Sequence, residues 1–136
     1  MSDSIRLLLV DDETDFTATL GRRLVRRGLT VETADCGEAG LSKLETFPAD
    51  VVLLDVRMPG MDGLSVLHRI KELYPLTEVV MLTGHASMEV AIRGMELGAF
   101  DYLMKPVAFE ELFYKVEDAA ARKRLQEGRI EGRRRG

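Results

Sequence analysis

The sequence predicts an α/β fold, a doubly wound, open sheet of five parallel strands in the order 2-1-3-4-5. Two observations carry this expectation. Short apolar runs alternate five times with longer segments whose apolar residues recur at helical spacing. Several of the runs are apolar at nearly every position, as strands covered on both faces must be, and no internal repeat is present. Parallel strands need crossover connections long enough for a helix, and right-handed crossovers place those helices on both faces of the sheet.

The first run, residues 5–10, is the first strand. Residues 15–27 follow with Phe16, Leu20 and Leu24 at a spacing of four and with Arg22, Arg23, Arg26 and Arg27 elsewhere, an amphipathic helix that Gly28 ends as a C-cap. Residues 29–34 form a short alternating strand, and 38–47 a second helix stopped by Pro48. The third strand, 50–55, is almost wholly apolar and ends on the carboxylate of Asp55. A turn rich in Pro and Gly, 58–63, leads into a helix over about 64–73, with Pro75 just beyond it. Strand four is expected at 78–82, helix four at 87–97 and strand five at 100–104. A last helix begins near Phe109 and continues into a charged tail.

The 136 residues suit one domain, and 46% apolar composition is enough to build a core. The apolar runs are too short for a membrane helix, and the N-terminus lacks a basic segment followed by a long apolar one, so the default expectation is a cytoplasmic protein. Cys36, the only cysteine, cannot form an internal disulfide and reads as a partly buried small residue. The net charge of −4 argues against general affinity for nucleic acid. That charge is unevenly spread. Residues 115–136 hold eight Lys/Arg and four Asp/Glu, a balance of +4, which leaves −8 on residues 1–114.

In an open parallel sheet, ligands bind at the carboxyl ends of the strands, beside the point where the strand order reverses. The polar residues fall there. Asp11 and Asp12 follow strand one, Asp55 closes strand three, Thr83 follows strand four and Lys105 follows strand five. Three carboxylates at one edge repel each other unless a cation joins them, and an oxygen-only set without His or Cys suits Mg²⁺. Singly, each feature has a plain explanation: an Asp pair as a helix N-cap, Thr83-Gly84 as a loop, Lys105-Pro106 as a turn. In this order, at successive strand ends, they describe an acidic Mg²⁺ site able to receive a phosphoryl group.

The segments LLLVDDE at 7–13, VVLLDVRMPGMDG at 51–63, VVMLTGHAS at 79–87 and GAFDYLMKPV at 98–107 carry a resemblance. Over about residues 4–124 the chain resembles the receiver domains of bacterial response regulators, the CheY-like switches of two-component signal transduction with a flavodoxin-like (βα)5 fold. The resemblance implies that Asp55 is the phosphoacceptor, taking its phosphoryl group from a sensor histidine kinase or phosphotransfer protein. It implies that Asp12, Asp55 and the backbone carbonyl of Arg57 ligate Mg²⁺, with Asp11 acting through water. Thr83 corresponds to the switch hydroxyl, Tyr102 to the switch aromatic and Lys105 to the site lysine, with a cis peptide between Lys105 and Pro106. Arg57 and His85 occupy positions that tune the phosphorylated lifetime. His85 is not expected to bind the metal. Such a protein assists its own phosphorylation and dephosphorylation without turning over a separate substrate.

Helix four adds an independent observation. Val90, Ala91, Gly94 and Leu97 make one apolar side, while Met88, Ile92 and Met95 form a second stripe at i, i+4 and i+7. A helix apolar on two sides has a second partner. The expected one is an output element, reached through the α4-β5-α5 surface, or a second receiver in a homodimer. The arginines of helix one are either a solvated face or a kinase contact. Residues 125–136 carry too few apolar side chains for a core and read as a basic helix end or linker after a receiver domain at 1–124. No helix-turn-helix or ATPase P-loop can be drawn in them. The GAFDYLMKPV segment resembles receivers attached to AAA+ transcriptional activators and also stand-alone ones.

Three other functions compete. A phosphatase of the haloacid dehalogenase type needs a DxD motif after its first strand, where this chain has Asp11-Asp12. An FMN binder of the same topology needs a Ser/Thr/Gly phosphate loop there. A receiver-like interaction module that is never phosphorylated would lack a key residue, and none is missing.

Overall fold

The computed structural model describes residues 4–57, 62–84 and 88–135. The strands are β1 (Arg6–Val10), β2 (Thr30–Ala34), β3 (Val51–Asp55), β4 (Glu78–Thr83) and β5 (Asp101–Met104). They alternate with α1 (Thr14–Arg26), α2 (Gly37–Leu44), α3 (Gly63–Leu73), α4 (Met88–Glu96) and α5 (Phe109–Arg135). One sheet contains all five strands, in the order β2-β1-β3-β4-β5, and every neighbouring pair is parallel. The doubly wound α/β fold expected from the sequence is the fold observed.

Alternation along the strands builds two cores. Leu7, Leu9, Val51, Leu53, Val80 and Leu82 face α1 and α5, where Leu20, Leu24, Leu112 and Val116 meet them. The intervening residues Leu8, Val10, Val52, Leu54, Val79 and Met81 face α2 and α3, against Leu44, Val66, Leu67 and Ile70. Burial on both faces explains why β3 and β4 read as continuous apolar runs rather than alternating ones.

The helix ends show local sequence at work. Gly28, at φ 96°, sits just past α1, with its N–H on the Val25 carbonyl and the Leu29 N–H on that of Leu24. Gly98, at φ 103°, does the same after α4. Both are Schellman caps, for which glycine is favoured because the left-handed backbone crowds a Cβ. Helix α2 stops at Leu44, short of the expected 47, because Thr46 and Phe47 turn back onto the Lys43 carbonyl and Pro48 disfavours a helical residue before it. Met58 to Met61 of the expected turn, and Ser87 at the expected start of helix four, lie outside the described residues.

Helix α5 has 27 residues, about 40 Å at ~1.5 Å per residue. Residues 125–135 are therefore helical. What holds α5 below its apolar half is charge. Asp50, just before β3, and Glu78, the first residue of β4, are 1% and 3% exposed at the amino edge of the sheet. The Asp50 carboxylate accepts from the Arg6 N–H at 2.8 Å, Lys123 Nζ at 3.1 Å and Arg124 Nη2 at 3.3 Å. Arg122 Nε stands 3.2 Å from Glu78 Oε2, an ion pair without hydrogen-bond alignment, and Lys71 Nζ lies 3.6 Å from the other oxygen.

The arginines of α1 divide by direction. Arg23 stacks over Phe109 at 4.0 Å, and Arg27 over Phe113 at 4.0 Å while pairing with Glu110. Arg22 and Arg26 turn the other way, to a shallow groove with Gly21, Val25 and Val31.

Candidate functional site

Parallel register brings the strand ends to one edge. The chain leaves β1 at Asp11, whose N–H bonds the Ala34 carbonyl at 3.0 Å. Asp55 is the last residue of β3 and Thr83 the last of β4. Lys105 follows β5 with its N–H on the Thr83 carbonyl at 2.8 Å, and the Lys105–Pro106 peptide is cis.

Carboxylate oxygens of Asp11, Asp12 and Asp55 all lie within 4.8 Å of one another. Asp11 and Asp55 are buried and Asp12 is exposed, so the cluster has an inner wall and an open side. Lys105 Nζ reaches across to Asp11 Oδ2 at 2.6 Å and Glu13 Oε1 at 2.9 Å, and stands 3.6 Å from Asp55 Oδ2. Its ammonium also lies 4.5 Å from the centroid of the Phe16 ring. The Arg57 N–H donates to Asp55 Oδ1 at 2.9 Å, and the Glu13 N–H to Asp11 Oδ1 at 2.9 Å.

Burial, reinforced by the Asp11 charge, pushes the Asp55 carboxyl above its ordinary 3.8, against the Arg57 N–H and the Lys105 charge that work to lower it. Burial works to lower Lys105, yet its bonds to Asp11 and Glu13 and the charges of Asp11 and Asp55 prevail and hold the ammonium above its ordinary 10.5. The site is therefore short of positive charge even with the lysine in it. Its oxygen-only donors fit a hard divalent cation such as Mg²⁺, with waters completing the shell.

Thr83 and Tyr102 share the sheet face that carries Met81, since Met81 pairs with Tyr102 and Thr83 with Met104 in the β4–β5 register. Tyr102 is half-buried and lines a groove with Met88, Ala91, Ile92, Met95 and Glu96 of α4. Met88, Ile92 and Met95 are 69%, 50% and 44% exposed, while Ala91 and Gly94 are buried against the domain. Gly63 at the start of α3 lies against the chain leaving β3, where a Cβ would come within 2.4 Å of the Val56 Cα. Only glycine fits that approach. His85 lies outside the described residues, and Arg57 meets Asp55 through its N–H.

Sequence reasoning missed two residues of the site. Glu13 entered only as the last letter of a motif and Phe16 only as an inward helix position, yet both touch Lys105. Their signal was proximity to Asp11 and Asp12 in the chain, which does not reveal a lysine 92 residues away.

A doubly wound sheet with an acidic cluster and a lysine at its carboxyl edge defines a class of α/β signalling domain. The chain belongs to the response regulator receiver domain family, whose match spans residues 7–117. It is 40% identical over 111 residues to the DNA-binding transcriptional regulator NtrC of Salmonella typhimurium, covering 82% of this chain and 24% of that protein. A response regulator receiver domain protein (CheY-like) from Methanospirillum hungatei JF-1 superposes with a TM-score of 0.87 at 31% identity, over 91% of this chain and 99% of that one. NtrX from Brucella abortus does so at 0.87 and 29% identity, over 94% of this chain and 29% of its own. The chain thus spans about a quarter of the length of the curated relatives it matches. Receiver domains are signalling domains, phosphorylation-activated and generally without turnover of a separate substrate. Among the described residues, no helix is long and apolar enough to cross a membrane.

Proposed function

We propose that residues 1–124 are a receiver that accepts a phosphoryl group on Asp55 from the phosphohistidine of a sensor histidine kinase or phosphotransfer protein. The observation that carries this is the convergence of Lys105 and the carboxylates of Asp11 and Asp12 on Asp55. An Asp55 oxygen forms the new P–O bond as the P–N bond to histidine breaks, and the imidazole leaves with the electron pair. An ionised carboxylate needs no general base for this. Asp11, Asp12 and Asp55, with the Arg57 carbonyl, would hold Mg²⁺, which when bound neutralises charge on the transferring group. Lys105 supplies a second positive charge, and the Thr83 hydroxyl a hydrogen bond to a third oxygen. Dephosphorylation is attack by water, releasing inorganic phosphate and restoring the carboxylate.

The added charge, ~−1.5 to −2, biases two states of the domain. Thr83 moves toward the phosphoryl group and Tyr102 turns into the space it leaves, which is supported by their common sheet face. The α4-β5-α5 surface then changes, and the stripe Met88, Ile92 and Met95 beside Tyr102 docks an output element or a second receiver. Replacing Met88 and Met95 by Gln is expected to leave phosphorylation intact and to weaken that association, read by sedimentation or pull-down of the phosphorylated protein. Equal association would overturn the assignment of this face. Residues 125–136 are a basic helix end or linker after the receiver, a reading supported by the helix through Arg135.

The decisive experiment is intact mass after incubation with acetyl phosphate or phosphoramidate, with and without Mg²⁺, on the native protein and on Asp55→Asn. One phosphoryl group requiring both Mg²⁺ and Asp55 is the expected result. No addition to a folded protein under any condition would favour an unphosphorylated interaction module. Asp55→Asn also removes a buried charge beside Asp11, so the metal-free variant should melt higher than the native protein.

A further inference from the structure

Glu13 holds the N-cap position of α1, yet its side chain makes no cap hydrogen bond. Asn, Asp or Ser at this position would satisfy an orphan N–H of the first turn. The Glu13 carboxylate instead accepts from Lys105 Nζ at 2.9 Å, across 92 residues. Its backbone N–H, bonded to Asp11 Oδ1 at 2.9 Å, keeps it beside the acidic cluster. A cap contact is thus forgone for a contact with the site.

The consequence lies in what Lys105 must do. Its ammonium has three donors, and two are engaged sideways, by Asp11 at 2.6 Å and by Glu13. The nearest Asp55 oxygen is 3.6 Å away. Asp11 belongs to the cluster itself. The Glu13 side chain is 63% exposed, so it can swing to solvent without uncovering the core.

We propose that Glu13 is a positioning residue that holds Lys105 aside in the unphosphorylated protein, so that surrendering this bond is part of the barrier to phosphoryl acceptance. The inference rests on Asp55 as acceptor. When a phosphoryl group arrives, Lys105 exchanges the Glu13 oxygen for a phosphoryl oxygen, and on dephosphorylation Glu13 takes it back. Because the bond is exposed, its effect on rate is limited to about two- to fivefold.

The test is a double-mutant cycle on the full chain: native, Glu13→Gln, Lys105→Met and the pair, each with saturating Mg²⁺. Initial rates of mass gain are measured with acetyl phosphate and with phosphoramidate. Asp55 forms a P–O bond in both cases. The P–O bond to acetate breaks in the first, acetate taking the electron pair, and the P–N bond in the second, nitrogen leaving as ammonia. Glu13→Gln should accelerate both donors about two- to fivefold and have no effect in the Lys105→Met background. Acceleration that persists without the lysine would mean that Glu13 only repels anionic donors, and would overturn the proposal, as would unchanged rates in the Lys105 background. A second readout needs neither metal nor donor. With ¹³C-labelled lysine, the Lys105 ε-methylene signal should move in Glu13→Gln and not in Glu38→Gln. An unmoved signal removes the contact and the proposal with it. If the native protein takes no phosphoryl group while the signal moves, the contact stands but the acceptor reading fails, and the proposed role fails with it.

Discussion

Lys105→Met is expected to slow phosphorylation by small donors about 10²–10³-fold, the usual loss when one preorganised group facing a developing negative charge is removed. The same substitution is expected to tighten Mg²⁺ binding. The two effects have one cause. Lys105 is 2.6 Å from Asp11 and 3.6 Å from Asp55, so in the metal-free protein its charge partly satisfies the carboxylates that would bind the cation. Removing it leaves Asp11 and Asp55, both buried, with less to balance them, and a divalent ion becomes the main remedy. In the proposed transfer the lysine would have a different task, facing the transferring phosphoryl group. Calorimetric titration with Mg²⁺ and mass-resolved kinetics on one preparation check both directions. Slower transfer with weaker metal binding would point to a collapsed site, and unchanged transfer would remove Lys105 from the chemistry.

Asp50→Ala is expected to destabilise the fold by about 3–5 kcal/mol, the range for breaking a buried ion pair from one side. For a domain of this size that is a fall in Tm on the order of 10–20 °C. The reason is what is left behind. Lys123 is only 7% exposed and has Asp50 and Glu127 as its carboxylate partners. The Arg6 N–H loses its acceptor as well. Lys123→Met, by contrast, leaves Asp50 with Arg124 and the Arg6 N–H, and is expected to cost less. Burial alone would raise the Asp50 carboxyl, but the Arg6 N–H with Lys123 and Arg124 draws it below its ordinary 3.8. A depressed folded value means that this stability is present above about pH 4 and is lost as pH falls through the folded value. Urea titrations from pH 7 to pH 3 should show the stability gap between the native protein and Asp50→Ala narrowing toward the acid end. A constant gap between them would exclude an electrostatic origin.

The parts of this molecule legible in its sequence are those with a local period or a local stop. Strands buried on both faces wrote themselves as apolar runs, and Gly28 marked the end of α1. The alignment of Asp11, Asp12, Asp55, Thr83 and Lys105 could be read because one topological rule places every strand end at the same edge. Long-range pairing of charge has no such period. Arg122, Lys123 and Arg124 fell within the last helix without a stated role, because nothing in their neighbourhood names Asp50 or Glu78 as partners more than forty residues away. The arginines of α1 failed in the same manner. Two readings, solvent or partner, left out a third that Arg23 and Arg27 adopt, stacking on the rings of α5. The end of α2 slipped because periodicity sets where a helix is amphipathic and not where its last turn unwinds.

Helix α5 runs antiparallel to the strands, so residues 125–135 lie past the amino edge, opposite the Asp11–Asp12–Asp55 cluster. Residues 125–135 carry four arginines and two glutamates, +2, while Asp11, Asp12, Glu13 and Asp55 with Lys105 leave −3 at the other edge, so charge is separated along the axis of the domain as in an electric dipole. Its negative pole is the cluster and its positive pole the helix tip. A partner with a cationic rim is turned toward the cluster before contact, and two copies of the chain attract head to tail while parallel copies repel. The torque fades within ~8 Å at physiological ionic strength, which makes it an effect on how fast and in which orientation complexes form, and little on how long they last.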